Sequence, residues 1–179
     1  MRTGRFTGTP WEVVTVASTL EPVTTAGGLR ILPDLELADL DPTTSGLLVL
    51  VGGDHWDHGE GSELAALAGE FLAAGVPVAA ICGATLGLAR AGLLDERRHT
   101  SAAAEYLLAS GYAGADHYVD ERAVADANVI TAGPQSPIHF AMATLGHLGL
   151  ASERTLRAYE GVFHHGDASA YGDLMAATA

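Results

Sequence analysis

The single cysteine of the chain, Cys82, is the residue best suited to chemistry. It directly follows the apolar run 76–81 and precedes a helical pattern over residues 84–91. A sharp strand-to-helix turn exposes such a side chain and points it at the N–H groups of the helix start, whose positive potential favours the thiolate. Gly83 adds no side chain that would crowd this turn. The alternative is a buried, unreactive cysteine, which is the more common fate of a lone thiol.

Two glycines, Gly52 and Gly53, follow the other strongly apolar run, residues 47–51. The carboxyl ends of parallel strands meet at one edge of a sheet, where open α/β sheets bind their ligands. We therefore expect the backbone N–H groups of Gly53 and Gly83 to stabilise an oxyanion when Cys82 attacks a substrate. Taken alone, the Gly-Gly pair also fits an ordinary tight turn.

The loop that follows Gly53 contains His55, Trp56 and His58 among acidic residues. This spacing matches no standard zinc site, and we expect neither a metal nor a cofactor. We predict instead that the loop lines the mouth of a pocket above Cys82. Trp56 would form an apolar wall there, and His55 or His58 would be a proton donor.

Gly133 and Pro134 lie in another loop, directly after the apolar run 128–132. The helix predicted to begin near Pro137 has free N–H groups beside this loop. A loop that faces the substrate and a plain connection explain it equally well. Gly133 and Pro134 are accordingly candidate pocket residues.

Apolar runs alternate with helical patterns along the chain, which predicts an α/β domain with a mostly parallel sheet. The runs 47–51 and 76–81 are apolar throughout, as strands covered on both faces are. Residues 62–74 between them have helical periodicity and end at Gly75, so the three elements form a βαβ unit. Further strands are predicted at 11–17, 29–32 and 128–132, and further helices at 84–91, 137–148, 156–163 and 168–177.

The composition excludes several classes of function. The chain of 179 residues has 22 acidic and nine basic side chains, and every basic one is arginine. Without lysine, neither a Schiff-base mechanism nor a Walker A phosphate loop is possible, and the net charge of −13 argues against nucleic-acid binding. No apolar run is long enough to span a membrane, and the first ten residues lack the apolar core of a secretory signal. We expect a cytoplasmic protein of one domain, residues 1–179.

The Cys82 segment, Ala-Ile-Cys-Gly-Ala-Thr-Leu-Gly-Leu-Ala-Arg-Ala-Gly-Leu-Leu, resembles the ThiJ/PfpI superfamily. Leu-Val-Leu-Val-Gly-Gly before it and Val-Ile-Thr-Ala-Gly-Pro after it are similar to the same family, and the resemblance runs from about Trp11 to Leu150. It implies a flavodoxin-like three-layer sandwich with a class I glutamine amidotransferase-like fold, usually a homodimer. Family members include stress-protective proteins, glyoxalases, deglycases, amidases, peptidases and redox sensors.

The sequence departs from the family pattern at three places. The PfpI-type peptidases have a His directly after the nucleophile, where this chain has Gly83, so a peptidase is less expected. Another common family His corresponds to Ala102, and His99 is near but not aligned with it. The family's first strand and helix, with a Glu that hydrogen-bonds the cysteine, have no counterpart before Trp11.

A missing inner strand would leave a gap in the sheet, which we expect between the strands 47–51 and 76–81. Unpaired edges and uncovered apolar surface promote association. We therefore expect a homo-oligomer, and the segment Met1–Pro10 is too polar to fill the gap. Either the chain is a shortened version of a longer protein or a partner supplies the strand.

The sequence leaves three hypotheses for the function, two with a reactive Cys82 and one with an inert thiol. The first is a cysteine-dependent hydrolase, glyoxalase or deglycase for small carbonyl or amide compounds, with no binding to nucleic acid or membrane. The second is a redox-sensing or stress protein whose Cys82 is oxidised without a second thiol to resolve it. The third is a structural homologue with an inert thiol.

Overall fold

The computed structural model describes residues 11–176 of the chain. The strands are β1 Val16–Ala17, β2 Val23–Thr24, β3 Arg30–Ile31, β4 Leu35–Glu36, β5 Leu48–Leu50, β6 Val78–Ile81, β7 Ala123–Asp126 and β8 Val129–Ala132. The helices are α1 Ser62–Ala73, α2 Ala84–Arg90, α3 Ala104–Leu108, α4 Pro137–His147, α5 Glu153–Phe163 and α6 Tyr171–Ala176.

The central sheet has four strands in the order β5-β6-β8-β7. The first three strands are parallel, and β7 is antiparallel to β8 at the far edge. The predicted βαβ unit is present as β5-α1-β6, with Leu48 paired to Val78. Since β5, β6 and β8 are parallel, their carboxyl ends lie at one edge of the sheet, as the positions of Gly52, Cys82 and Gly133 require.

Helices cover both faces of this sheet. On one face, the core formed by Leu50, Val78, Ala80 and Val129 packs with buried side chains of α1 and α2. The alternate residues of β6 and β8 point to the other face. There α4 packs against β6, β7 and β8, and α5 packs against α4. The three-layer α/β sandwich with a mostly parallel sheet is therefore confirmed.

In the described part of the chain, the outer edge of β5 is open. Within residues 11–176 no strand pairs with this edge, and β1–β4 and β2–β3 form two separate two-stranded sheets. Val49 is 46% exposed and Val51 is 66% exposed, both on the face where α4 covers the neighbouring strands. The gap was predicted in the wrong place: strands 47–51 and 76–81 pair directly, and the gap lies outside β5. Met1–Pro10 lie outside the described residues.

Element boundaries differ from the predicted ones mainly at the ends of the chain. The strand predicted at 11–17 is shorter in the structure. It forms β1, whose residues Val16 and Ala17 pair with β4. Helix α5 begins earlier than predicted, since the Ser152 hydroxyl accepts a hydrogen bond from the Thr155 N–H and caps the helix. The segment 168–177 forms a 3₁₀ turn, Ala168–Ala170, followed by α6, and residue 177 lies outside the described residues.

Candidate active site

Cys82 lies between the end of β6 and the start of α2 in a strained backbone conformation. Its φ is +62°, in the left-handed region, which it shares with only one other non-glycine residue of the described part, Ala127. A side chain in this region costs on the order of 1–3 kcal/mol, and such strain clusters at functional sites. The Cys82 N–H donates to the Ala132 carbonyl at 3.0 Å. The Thr85 hydroxyl donates to the Cys82 carbonyl at 2.7 Å, so the turn is fixed from two sides.

Gly52 lies directly against the thiol. A Cβ atom built on Gly52 would be 2.7 Å from Cys82 Cβ and 2.9 Å from Sγ. A Cβ atom on Gly83 would be 3.2 Å from the Gly53 carbonyl oxygen. The fold thus brings Gly52 and Gly53 against the Cys82–Gly83 turn, and the Cys82 side chain occupies space that only a glycine at position 52 leaves open.

Trp56 is buried, with 1% of its surface exposed, and its Cβ would be 3.2 Å from a Cβ atom on Gly83, so its role as an apolar wall above Cys82 stays a prediction. Its Nε1–H donates to the Val51 carbonyl at 2.9 Å. Its ring fills space that side chains at Gly61 and Gly87 would otherwise occupy. A surface cavity of about 380 Å³ adjoins this ring, and Cys82 is not among the residues that line it.

The two histidines of the loop lie in different environments. The His55 ring packs on Trp56, with their centroids 4.9 Å apart, and its Nε2 is buried without a hydrogen-bond partner among the described residues. A Cβ atom on Gly53 would be 2.6 Å from His55 Nδ1. His58 is exposed. Neither ring hydrogen-bonds to Cys82 in the described part of the chain, so the proton donor role remains a prediction.

A tyrosine and an aspartate near the thiol were missed by the sequence analysis. The Tyr106 hydroxyl, on α3, donates a 2.6 Å hydrogen bond to Asp57 Oδ1. Burial raises the pKa of Tyr106, and the charges of Asp57 and Cys82 raise it further, whereas Arg90 lowers it. Arg90 also donates to the backbone carbonyls of Trp56 and Asp57. Residues 57 and 106 are far apart in sequence, and no motif links them.

The loop after β8 meets the segment that precedes α3. A Cβ atom on Gly133 would be 2.7 Å from the Ser101 carbonyl oxygen, so Gly133 is needed for this close approach. The Ser101 and Thr85 hydroxyl oxygens are 2.7 Å apart. Because Thr85 gives its hydrogen to Cys82, Ser101 is the donor of this bond. Gly133 is therefore linked to the Cys82 turn through Ser101, while Pro134 is exposed.

Comparison with known proteins identifies the family. Residues 3–147 match the DJ-1/PfpI family. The chain belongs to the DJ-1/PfpI family. It is 38% identical over 150 residues to the Bacillus subtilis protein named uncharacterized protease YoaZ, a match that covers 83% of this chain and 71% of that protein. The family resemblance carried by the Cys82 segment is thus confirmed.

Two solved structures of the DJ-1/PfpI family have a similar fold. A thiJ/pfpI family protein from Bacillus anthracis superposes with a TM-score of 0.90 at 35% identity, covering 98% of this chain and 85% of that one. A DJ-1 superfamily protein from Agrobacterium tumefaciens gives a TM-score of 0.78 at 34% identity, covering 86% and 84% of the two chains. These matches support the sandwich architecture described above.

Both ring nitrogens of His99 are hydrogen-bonded. This histidine lies near the common His position of the DJ-1/PfpI family. Its ring is buried, with Nδ1 2.7 Å from the Arg97 carbonyl oxygen and Nε2 2.9 Å from the Tyr112 hydroxyl. Since a carbonyl only accepts, Nδ1 carries the hydrogen and Nε2 accepts from Tyr112. Burial lowers the pKa of His99, and the charge of His117 lowers it further. Both ring nitrogens of His99 are thus engaged by Arg97 and Tyr112.

A histidine cluster lies between α4 and the end of α5. His139 Nε2 is 3.2 Å from Glu160 Oε1, and the His139 ring is 4.6 Å from that of His164. No sequence motif links His139 to Glu160 or to His164. Within residues 11–176, no group of three or more His, Cys, Asp or Glu residues is arranged to hold a metal ion.

We predict that an alanine at Gly52 will hinder the thiol. In Gly52→Ala the new methyl group would overlap Cys82, so the cysteine must shift, and alkylation of Cys82 should slow by about tenfold or more. The rate of iodoacetamide labelling measures this effect. Gly69→Ala is the matched control, because a Cβ there meets only Leu93 Cδ2 at 3.9 Å. Equal labelling rates in the two variants would contradict the close packing at Gly52.

His99 should make the fold sensitive to mild acid. Because burial holds the pKa of His99 below the ordinary value of 6.5, the unfolded chain binds this proton first as the pH falls. The His99 contribution is absent above pH 6.5 and lowers the free energy of unfolding as the pH falls below it, by at most about 1.4 kcal/mol per pH unit. Urea unfolding of wild type and His99→Gln at about pH 7.5 and 5.5 tests this. The difference in the free energy of unfolding between wild type and His99→Gln should shrink at the lower pH. A difference that stays constant would refute the role of His99 in acid sensitivity.

Proposed function

We propose that this DJ-1/PfpI family protein is a cysteine-dependent enzyme for small carbonyl or amide compounds, with Cys82 as the nucleophile. The observation that carries this proposal is the left-handed backbone of Cys82 at the carboxyl end of β6. A buried cysteine with only a packing role has no need of this conformation, whereas a nucleophile on a tight turn does. The fit of Gly52 around the side chain supports the same conclusion.

The proposed reaction begins with attack on a carbonyl. The Cys82 thiolate donates an electron pair to the carbonyl carbon, a C–S bond forms, and the C=O π pair moves to the oxygen. The N–H groups of Gly53 and Gly83 would stabilise the resulting oxyanion. His55 and His58 remain candidates for proton transfer, with Trp56, Gly133 and Pro134 as surrounding residues.

The Cys-His pair of the PfpI-type peptidases is not formed at Cys82 in the described residues. The Bacillus subtilis relative is named an uncharacterized protease, which makes peptide cleavage the natural comparison. In this chain Gly83 follows the nucleophile, and His99 is engaged by Arg97 and Tyr112. An imidazole that could protonate a leaving amine is therefore not hydrogen-bonded to Cys82 in the described residues.

The lack of a base bonded to Cys82 favours a second candidate function, a redox-sensing protein. Among the described residues, no imidazole or carboxylate hydrogen-bonds the Cys82 thiol to act as a base. Peroxide would oxidise the thiolate to a sulfenic acid and is itself reduced to water. Since Cys82 is the only cysteine of the chain, an intramolecular disulfide could not follow.

Replacement of the nucleophile tests the enzymatic proposal. Cys82→Ser should retain the fold but lose activity on dicarbonyl or amide substrates by about a thousandfold or more, because a hydroxyl is a far poorer nucleophile at neutral pH. Substrate consumption and thermal unfolding are measured in parallel. Activity retained by Cys82→Ser would remove Cys82 from the mechanism. Oxygen added to Cys82 by mild peroxide, without any catalytic turnover, would favour the redox candidate.

We also propose that the protein forms a homodimer through the open edge of β5. DJ-1/PfpI family members commonly form oligomers. Along a strand, the N–H and C=O groups of successive residues point to opposite edges. Because Leu48 and Leu50 bond to β6, the N–H and C=O of Val49 point to the open edge. The side chains of Val49 and Val51 are exposed beside this edge. The chain has no lysine that would block edge pairing.

A charge on the open edge should weaken this association. Light scattering of the wild type should give a mass of twice 18.4 kDa, and Val49→Lys should shift it toward the monomer because a buried ammonium is costly. Leu29→Lys is the control, since Leu29 is 70% exposed outside the central sheet. A monomeric wild type, or a dimer insensitive to Val49→Lys, would exclude this interface.

The cellular location stays a prediction from the sequence. The helices of residues 11–176 are too short or too polar to cross a lipid bilayer. We propose a cytoplasmic protein, where a reducing environment keeps a single thiol available for chemistry.

A further inference from the structure

We infer that Tyr106 is a substrate-binding residue of the Cys82 site, where its oxygen accepts a hydrogen bond from an N–H or O–H group of the substrate. The inference rests on the proposed function of Cys82 and narrows its substrates. It favours carbonyl compounds that carry such a donor next to the reacting carbon, such as primary amides and 2-hydroxy carbonyl compounds.

The position of Tyr106 depends on the loop that packs on the Cys82 turn. Tyr106 donates to Asp57 Oδ1 at 2.6 Å, and Asp57 directly follows the buried Trp56. Trp56 Cβ would be 3.2 Å from a Cβ atom on Gly83, next to the cysteine. Arg90 at the end of α2 binds the carbonyls of Trp56 and Asp57. Tyr106 is thereby fixed relative to the cysteine by the loop and by α2.

The surroundings of Tyr106 keep its hydroxyl protonated. Burial and the hydrogen bond to Asp57 hold the pKa of Tyr106 above the ordinary value, and the charges of Asp57 and Cys82 act in the same direction. Arg90 acts in the opposite direction and is the weakest of these influences. Tyr106 therefore keeps its proton at neutral pH and is not a general base.

The hydrogen bond to Asp57 determines what Tyr106 can offer a substrate. A phenol has one hydrogen, and here that hydrogen points to the carboxylate. The lone pairs of the oxygen remain, and donation to an anionic acceptor makes them better acceptors. A substrate group that meets this oxygen must consequently be a donor, whereas an acceptor would be repelled.

Alkylation of Cys82 by two related probes tests this role without any assumed substrate. Iodoacetamide carries amide N–H donors, and N,N-dimethyl-iodoacetamide carries none. The ratio of their rates, divided by the same ratio for glutathione, measures the preference of the site for a donor. We expect the wild type to prefer iodoacetamide by about three- to tenfold, the range of one neutral hydrogen bond.

The variants separate the hydroxyl from the shape of the pocket. Tyr106→Phe keeps the ring and should bring the normalised ratio close to one, whereas steric exclusion of the dimethyl probe would persist in this variant. Asp57→Ala, which frees the phenol hydrogen, should also lower the ratio. Tyr112→Phe is the matched control, because the Tyr112 hydroxyl binds His99 instead, and it should keep the wild-type ratio.

A preference that survives in Tyr106→Phe, or a wild-type ratio of one, would overturn the role of Tyr106 and leave the proposed function of Cys82 intact. Loss of the preference in Tyr112→Phe as well would also overturn it, because the effect would then be general. A thiol that reacts with neither probe would overturn both proposals, since no substrate could then reach the site.

Discussion

The backbone of Cys82 is held in a left-handed conformation that its own side chain disfavours, and its neighbours must compensate for that cost. The Cys82 N–H is bound to the last residue of β8, and its carbonyl is bound to Thr85. Ser101 completes the chain of hydroxyl bonds beneath the turn. Three separate segments therefore meet at this turn and together hold the thiol in its position.

Glycines leave the space that the Cys82 turn and the neighbouring loop 53–58 need to pack together. Gly52 admits the cysteine side chain, and Gly61 and Gly87 admit the ring of Trp56. The indole in turn anchors the loop that carries Asp57, and with it the partner of Tyr106. Burial of one large aromatic side chain thus connects the packing of the core to the polar groups near the thiol. Replacement of Gly52 acts on the thiol directly, whereas replacement of Gly61 or Gly87 acts through the Trp56 ring.

Much of the architecture follows from local patterns in the sequence. The fully apolar runs, the helical period of α1 and the glycines after β5 and β6 are sufficient to predict the βαβ unit and the meeting of Gly52 with Cys82. The burial of Trp56 could not be predicted from its charged neighbours, because it depends on space left by Gly61 and by the more distant Gly87. The Tyr106–Asp57 bond joins segments that have no periodic relation. The gap in the sheet was assigned to the wrong side of β5, since apolarity does not reveal which strand is the neighbour.

The open edge of β5 has a consequence for the dynamics of the site. An edge strand opens to solvent with a lower free energy than the strands inside the sheet, so its amide hydrogens exchange earlier. Gly52 and Gly53 continue directly from β5, whereas Cys82 continues from β6, which is paired on both sides. The two halves of the candidate active site therefore belong to regions of unequal local stability. We therefore expect Gly52 and Gly53 to fluctuate more than Cys82, and a partner strand on β5 to slow those fluctuations.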